Sequence, residues 1–126
     1  MFTLFFIPLG RSIFGVIADA RKDSRFLASR YVVILREKDD VPASDSLPVG
    51  CCGFVRCDQQ GLLSDFERNR IKGLLKELGV ELYECAAIIN GGTTVQQWAL
   101  SQLAKSVEMT AFNVQPDRMV ELQYLA

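Results

Sequence analysis

The sequence predicts an α+β domain: a mixed sheet of five to six strands covered by two or three helices. Three observations carry this. β-rich apolar runs occupy Tyr31-Val-Val-Ile-Leu-Arg36 and Gly50-Cys-Cys-Gly-Phe-Val-Arg-Cys57, and a continuous apolar run of the kind buried on both faces of a sheet occupies Cys85-Ala-Ala-Ile-Ile89. Between and after them lie two segments with helical spacing and helix punctuation. An α/β arrangement with a short parallel βαβ unit in the C-terminal half is the alternative.

In chain order, Met1-Phe-Thr-Leu-Phe-Phe-Ile-Pro-Leu-Gly10 reads as a buried first strand. A secretory leader fits poorly. No basic residue precedes the apolar run, and Pro8, Gly10 and Arg11 cut it far short of the roughly 20 residues that span a bilayer. Arg11 to Lys22 places Ile13, Phe14, Ile17 and Ala20 at helical spacing, with Gly15 and β-branched residues keeping a strand in contention. Tyr31–Arg36 and Gly50–Cys57 are expected to pair as an antiparallel hairpin across a mobile loop at residues 37–49. That loop is rich in acidic residues, serine and proline.

After Gly61, Ser64 and Glu67 have capping-box spacing, and Phe66, Ile71, Leu74, Leu75 and Leu78 form an apolar stripe. Gly79 is a natural stop; Gly73 marks a close packing contact or is simply tolerated. Asn90-Gly-Gly-Thr-Thr94 ends the central strand, and Val95, Trp98, Ala99, Leu103 and Val107 form the core face of a helix with a threonine cap. Glu108–Val114 is a strand. After a turn at Gln115-Pro-Asp117, Val120, Leu122 and Tyr124 alternate with polar residues in a last strand with one wet face.

With 126 residues, 49% hydrophobic and 23% charged, the chain has the dimensions of a single globular domain over residues 1–126. Its 14 basic and 15 acidic side chains set up no global field for a polyanion or an anionic membrane, so neither nucleic acid nor a membrane is the expected partner. The charge is uneven: residues 1–36 hold six basic and two acidic side chains. Asp19 and Asp23 interrupt that basic run, however, and no aromatic stacking platform accompanies it. Four cysteines in a chain with an ordinary core read as reduced, buried small hydrophobes and point to a cytoplasmic setting. Cys51 and Cys52, adjacent on a strand, face opposite ways; with no CxxC pair and no histidine, no metal site is expected.

The absence of histidine removes Ser-His-Asp and Cys-His catalysis and His-ligated metals together. Two carboxylate pairs, Asp39 with Asp40 and Glu81 with Glu84, are assigned to solvated surface, the first in the loop and the second in a strand that would point its members to opposite faces. No catalytic residue is assigned. The segment with the most chemical potential is Asn90, Gly91, Gly92, Thr93 and Thr94: a strand delivering a glycine-rich turn to a helix N-terminus presents free backbone N–H groups to an anion. These five are the candidate ligand-binding residues. The turn lacks GxGxxG, a P-loop lysine and a ribose-binding acid.

The hairpin Tyr31–Cys57 followed by a helix superficially resembles the central strands of the acetyl-CoA-dependent N-acetyltransferases, and Arg70-Ile-Lys-Gly73-Leu-Leu75 echoes their pyrophosphate loop. That loop requires a small residue where Leu75 stands and precedes a helix, whereas this segment lies inside one. The family is therefore not assigned. The expected function is a non-enzymatic binding or assembly module, homo-oligomeric through the edge strand near Val120–Tyr124 or an aromatic patch, with a small-ligand cleft and no cofactor. The alternative is a transferase-like enzyme or nucleotide/CoA binder that holds a phosphate-containing cofactor at Asn90–Thr94.

Overall fold

The computed structural model describes residues 1–122. Six strands and three helices follow in the order β1 (Leu4–Pro8), α1 (Ile13–Ala20), β2 (Arg30–Leu35), β3 (Cys51–Arg56), α2 (Asp65–Leu78), β4 (Cys85–Ile88), α3 (Thr94–Ser106), β5 (Thr110–Val114) and β6 (Met119–Leu122). The mixed sheet with its helical cover is the one the sequence predicts. Its strand order is β3-β2-β1-β4-β5-β6. The first five strands are parallel, and β6 runs antiparallel to β5.

Both faces of the sheet are covered. On one side Leu4, Phe6, Val32, Ile34 and Val55 meet Ile71 and Leu75 of α2 and Leu100 and Leu103 of α3. On the other, Phe5, Ile7, Tyr31 and Val33 meet Ile13 and Ile17 of α1 together with Phe26 and Phe112. Alternation along β1 thus feeds two cores, which is why that strand reads as a continuous apolar run. Phe26 lies edge-on to Phe112 with ring centroids 5.3 Å apart, and Phe5 stacks on Tyr31 at 5.6 Å. Most of the N-terminal aromatic excess is therefore core.

The expected antiparallel hairpin does not form: β2 and β3 are parallel, with Val33 opposite Phe54 and Ile34 opposite Val55. Residues 36–50 are long enough for the crossover of about a dozen residues that parallel neighbours need. That crossover is held on the α1 side of the sheet. Leu47 is buried there, the Tyr31 hydroxyl donates to the Pro48 carbonyl, and Arg21 Nη2 donates to the Val49 carbonyl at 2.8 Å. The hairpin on which the acetyltransferase comparison rested is thereby removed, and Arg70–Leu75 lies wholly within α2.

Local signals hold in part. Ser64 caps α2 by accepting from the Glu67 N–H, and Gly79 ends it at φ 68°. The full reciprocal capping box occurs instead on α3, between Thr93 and Gln96. Two stripe assignments are corrected: Phe66 is 71% exposed and Trp98 52% exposed. Phe66 stands beside the buried face of α2, which runs through Glu67, Ile71 and Leu75. Trp98 flanks α3, whose buried face is Ala99, Leu100, Leu103 and Ala104, and packs over Gly61, where a Cβ would come within 2.7 Å of its ring. Glu81 and Glu84 belong to a short 3-10 turn before β4, not to a strand. Tyr124 lies outside the described residues.

Candidate functional site

The sheet order reverses between β1 and β4. The connections leaving β1 and β4 go to opposite faces, α1 on one and α3 on the other, and part at the carboxyl ends of these strands. In open parallel sheets this is where a crevice opens and ligands bind. Here it is a cleft of about 540 Å³, lined by Leu9, Gly10, Arg11 and Ser12 from the β1–α1 turn, Arg36 after β2, and Gly91, Gly92, Thr93 and Gln96 from the β4–α3 turn.

The two turns fit against each other through glycine. A Cβ on Gly10 would lie 2.4 Å from the Gly92 nitrogen, so backbone meets backbone and no side chain fits between. Gly91 and Gly92 both adopt positive φ, 73° and 67°, which L-residues with a Cβ rarely take. A Cβ on Gly92 would also meet Gln96 Oε1 at 2.7 Å and Pro8 Cβ at 2.8 Å. An arginine at position 92 would therefore disturb the packing of the turn itself, and its effect on binding would not isolate an anion site.

Gln96 organises this junction from inside. It is 1% exposed. Its Nε2 donates to the carbonyls of Leu9 (3.0 Å) and Ile34 (2.8 Å), and its Oε1 accepts from the Thr93 N–H (2.7 Å) and hydroxyl (3.1 Å). One buried amide thus ties the ends of β1 and β2 to the start of α3. Gln97 adds a bond from Nε2 to the Gly91 carbonyl at 2.9 Å.

Of the five residues expected to bind a ligand, Gly91, Gly92 and Thr93 line the cleft and Asn90 and Thr94 do not. Asn90 is spent on architecture: its Nδ2 donates to the Val114 carbonyl at 3.0 Å and its Oδ1 accepts the Val114 N–H at 2.6 Å, pinning β4 to β5. Thr94 is the exposed first residue of α3. Thr93 caps α3 with its hydroxyl while its own N–H is taken by Gln96. Among the described residues, nothing accepts a hydrogen bond from the N–H groups of Gly91, Gly92 or Thr94.

The other half of the cleft, Leu9–Ser12 with Arg36, was missed by sequence reasoning. Pro8-Leu-Gly-Arg-Ser12 carries the same signal as Asn90–Thr94, a buried strand followed by glycine and a hydroxyl residue before a helix. Ser12 stands at the N-cap of α1 without a side-chain capping bond. Arg11 is exposed at the cleft mouth. Arg36 faces it from after β2 while bonded to Asp39, with Nη2 2.9 Å from Oδ1 and its backbone N–H 2.8 Å from Oδ2. That pairing raises the Arg36 pKa and holds the Asp39 carboxyl below the usual carboxylate range. The rim thus carries two guanidinium groups, one already partnered.

Among the described residues no cluster of histidine, cysteine and carboxylate groups has the disposition to hold a metal ion. Cys57 and Cys85 are buried, and burial pushes both thiols up, Cys85 to about 11. Cys51 and Cys52 are half-buried and pack toward opposite cores.

A doubly wound sheet with a glycine-built crevice at its order reversal is the class of fold that includes the Rossmann-type nucleotide binders. Among solved structures the chain is similar to Can2 from Sulfobacillus thermosulfidooxidans, determined in complex with cyclic tetra-adenylate: the TM-score is 0.52 and the identity 14% over 95% of this chain. The match covers 34% of the Can2 chain, and at that identity it speaks to the fold alone. No protein-family model matches the chain, and no curated protein matches it.

Proposed function

We propose that this domain is a non-enzymatic binding module that holds a phosphate-bearing small ligand, of the nucleotide class, in the crevice between the β1–α1 and β4–α3 turns. One observation carries the reading: two helix N-termini and the unpaired backbone N–H groups of Gly91 and Gly92 meet at one cleft at the strand-order reversal, with Arg11 and Arg36 at its rim. Helix N-termini and free amides favour an anion, and the arginines add charge where a phosphate would enter. The ligand of Can2 is a cyclic oligonucleotide, which makes cyclic tetra-adenylate the first compound to try. Free thiols fit a reducing, cytoplasmic setting. Among the described residues no helix is long and apolar enough to cross a membrane. Self-association is the second half of this reading.

Calorimetric titration of the purified chain with cyclic tetra-adenylate, linear tetra-adenylate and AMP tests it. Binding of at least one is expected, with Arg11→Glu weakening it about tenfold or more, the equivalent of about 1.4 kcal/mol. Failure of all three, together with no nucleotide carried through purification in native mass spectrometry, overturns the reading. Each mixture is also analysed for turnover; hydrolysis would replace the binding module by an enzyme acting on the same ligand.

A further inference from the structure

We propose that the free edge of β3 and the adjoining face of α2 form an isologous interface with a second copy of this chain, joining two six-stranded sheets edge to edge. The proposal deepens the self-association half of the reading above and rests on it, but not on what the crevice binds.

Strand β3 is the outer strand of the sheet. Cys57 N–H donates to the Leu35 carbonyl, so in the parallel ladder alternate residues back from Cys57 face β2, and Phe54 and Arg56 turn their N–H and C=O groups to the open side. Exposed edges are ordinarily blunted by lysine, proline or an inward-pointing charge. Strand β3, Cys-Cys-Gly-Phe-Val-Arg, has none of these, and its one charged side chain folds away, with Arg56 Nη1 on the carbonyls of Arg36, Glu37 and Asp39. A bulge between its pairings with Tyr31 and Val32 disturbs only its first residues.

A groove of about 370 Å³ separates this edge from α2, and its walls are self-complementary. Arg70 and Glu77 line it two turns apart on one face of α2, with Gly73 exposed midway between them. A two-fold axis through Phe54 would pair Phe54 with its own copy by exchanging both backbone bonds. It would run past Gly73, because Gly53 lies beneath the next residue of α2: a methyl there would be 3.5 Å from Leu74 Cδ2. The two α2 helices would then cross antiparallel at glycine, which permits interaxial distances of about 8 Å, and each Arg70 would face the other copy's Glu77. Arg70 already lies 3.2 Å from Glu67 in its own helix and would bridge the two carboxylates. Among the described residues Glu77 has no cation within 4 Å.

Sedimentation velocity over a concentration series, on the intact chain and on Glu77→Arg, Arg70→Glu and the double exchange Arg70→Glu/Glu77→Arg, tests this. The expected result is a dimer whose dissociation constant rises at least about tenfold in each single variant and returns to within about threefold in the double exchange. Both positions are exposed, and circular dichroism with urea unfolding confirms that each variant folds. A dimer indifferent to all three variants overturns this interface while leaving self-association standing. A chain that stays monomeric throughout overturns both.

Discussion

A single buried amide decides whether the crevice has a shape. Gln96 joins three different segments, so Gln96→Leu takes the donor from the Leu9 carbonyl and the acceptor from the Thr93 N–H, and removes the amide's bond to the Ile34 carbonyl, which keeps the Leu9 N–H. The expected loss is about 3 kcal/mol of unfolding free energy by urea titration, given about 1–3 kcal/mol for each buried polar group left unsatisfied. Asn90 plays the corresponding part between β4 and β5, and Asn90→Ala is expected to cost about 1–2 kcal/mol while leaving ligand affinity close to that of the parent. A larger effect on affinity than on stability would return Asn90 to the ligand. Both roles are hydrogen bonds over long sequence separation. In the sequence Asn90 reads as one of a turn's polar residues and Gln96 as an unremarked position between Val95 and Trp98.

The helices obey local rules closely enough for those rules to be tested. A methyl group at Gly73 would meet nothing within 4 Å, so of the two readings of this glycine, close contact or tolerance, packing within one chain supports tolerance. Gly73→Ala is expected to raise stability by about 0.5–1 kcal/mol through helix propensity, and also to weaken the dimer if the helices cross at this point. Glu108 follows α3 at φ 57°, a conformation that favours glycine, and Glu108→Gly is expected to gain about 1 kcal/mol. Thermal or urea unfolding reads both. The miss at Trp98 belongs to this scale too. Helical spacing gives the direction of a side chain but not the width of the strip a neighbouring sheet covers, and α3 is centred on Leu100 and Leu103.

For the molecule as a whole, the cores put a limit on alkaline stability. Tyr31 is fully buried, and burial raises its pKa to about 12, while the Cys85 thiol is raised to about 11 by the same cause. A raised acid holds its proton longer in the folded state. Its contribution is therefore complete below the unfolded pKa and is lost as pH rises through the folded one. Stability is expected to fall from about pH 8.5 for Cys85 and from about pH 10 for Tyr31, and Tyr31→Phe should flatten the upper part of that fall in urea midpoints measured against pH. In the folded protein, Cys57 and Cys85 are expected to resist thiol reagents until the chain opens. A profile flat to pH 12 would mean that neither group feels the burial described here.

How much of this was legible depends on the range over which each choice is made. Local chemistry determined the buried strands, the glycine stop at Gly79, the cap at Ser64, the cap near Thr93 and the turn at Asn90–Thr94, because each depends on backbone preference or on side chains a few residues apart. Periodicity also delivered the mixed sheet and its helical cover. Strand direction is a different matter: Tyr31–Arg36 and Gly50–Cys57 have the same apolar pattern whether paired parallel or antiparallel, and only the path of residues 36–50 across the sheet decides between them. That path places β3 outside β2, and the return through α2 to β4 on the far side of β1 then sets where the order reverses. The sequence held both halves of the crevice, Leu9–Ser12 and Gly91–Thr93, some eighty residues apart. Only the tertiary structure made them one site, because two turns become one cleft when parallel strands carry them to the same end of a sheet.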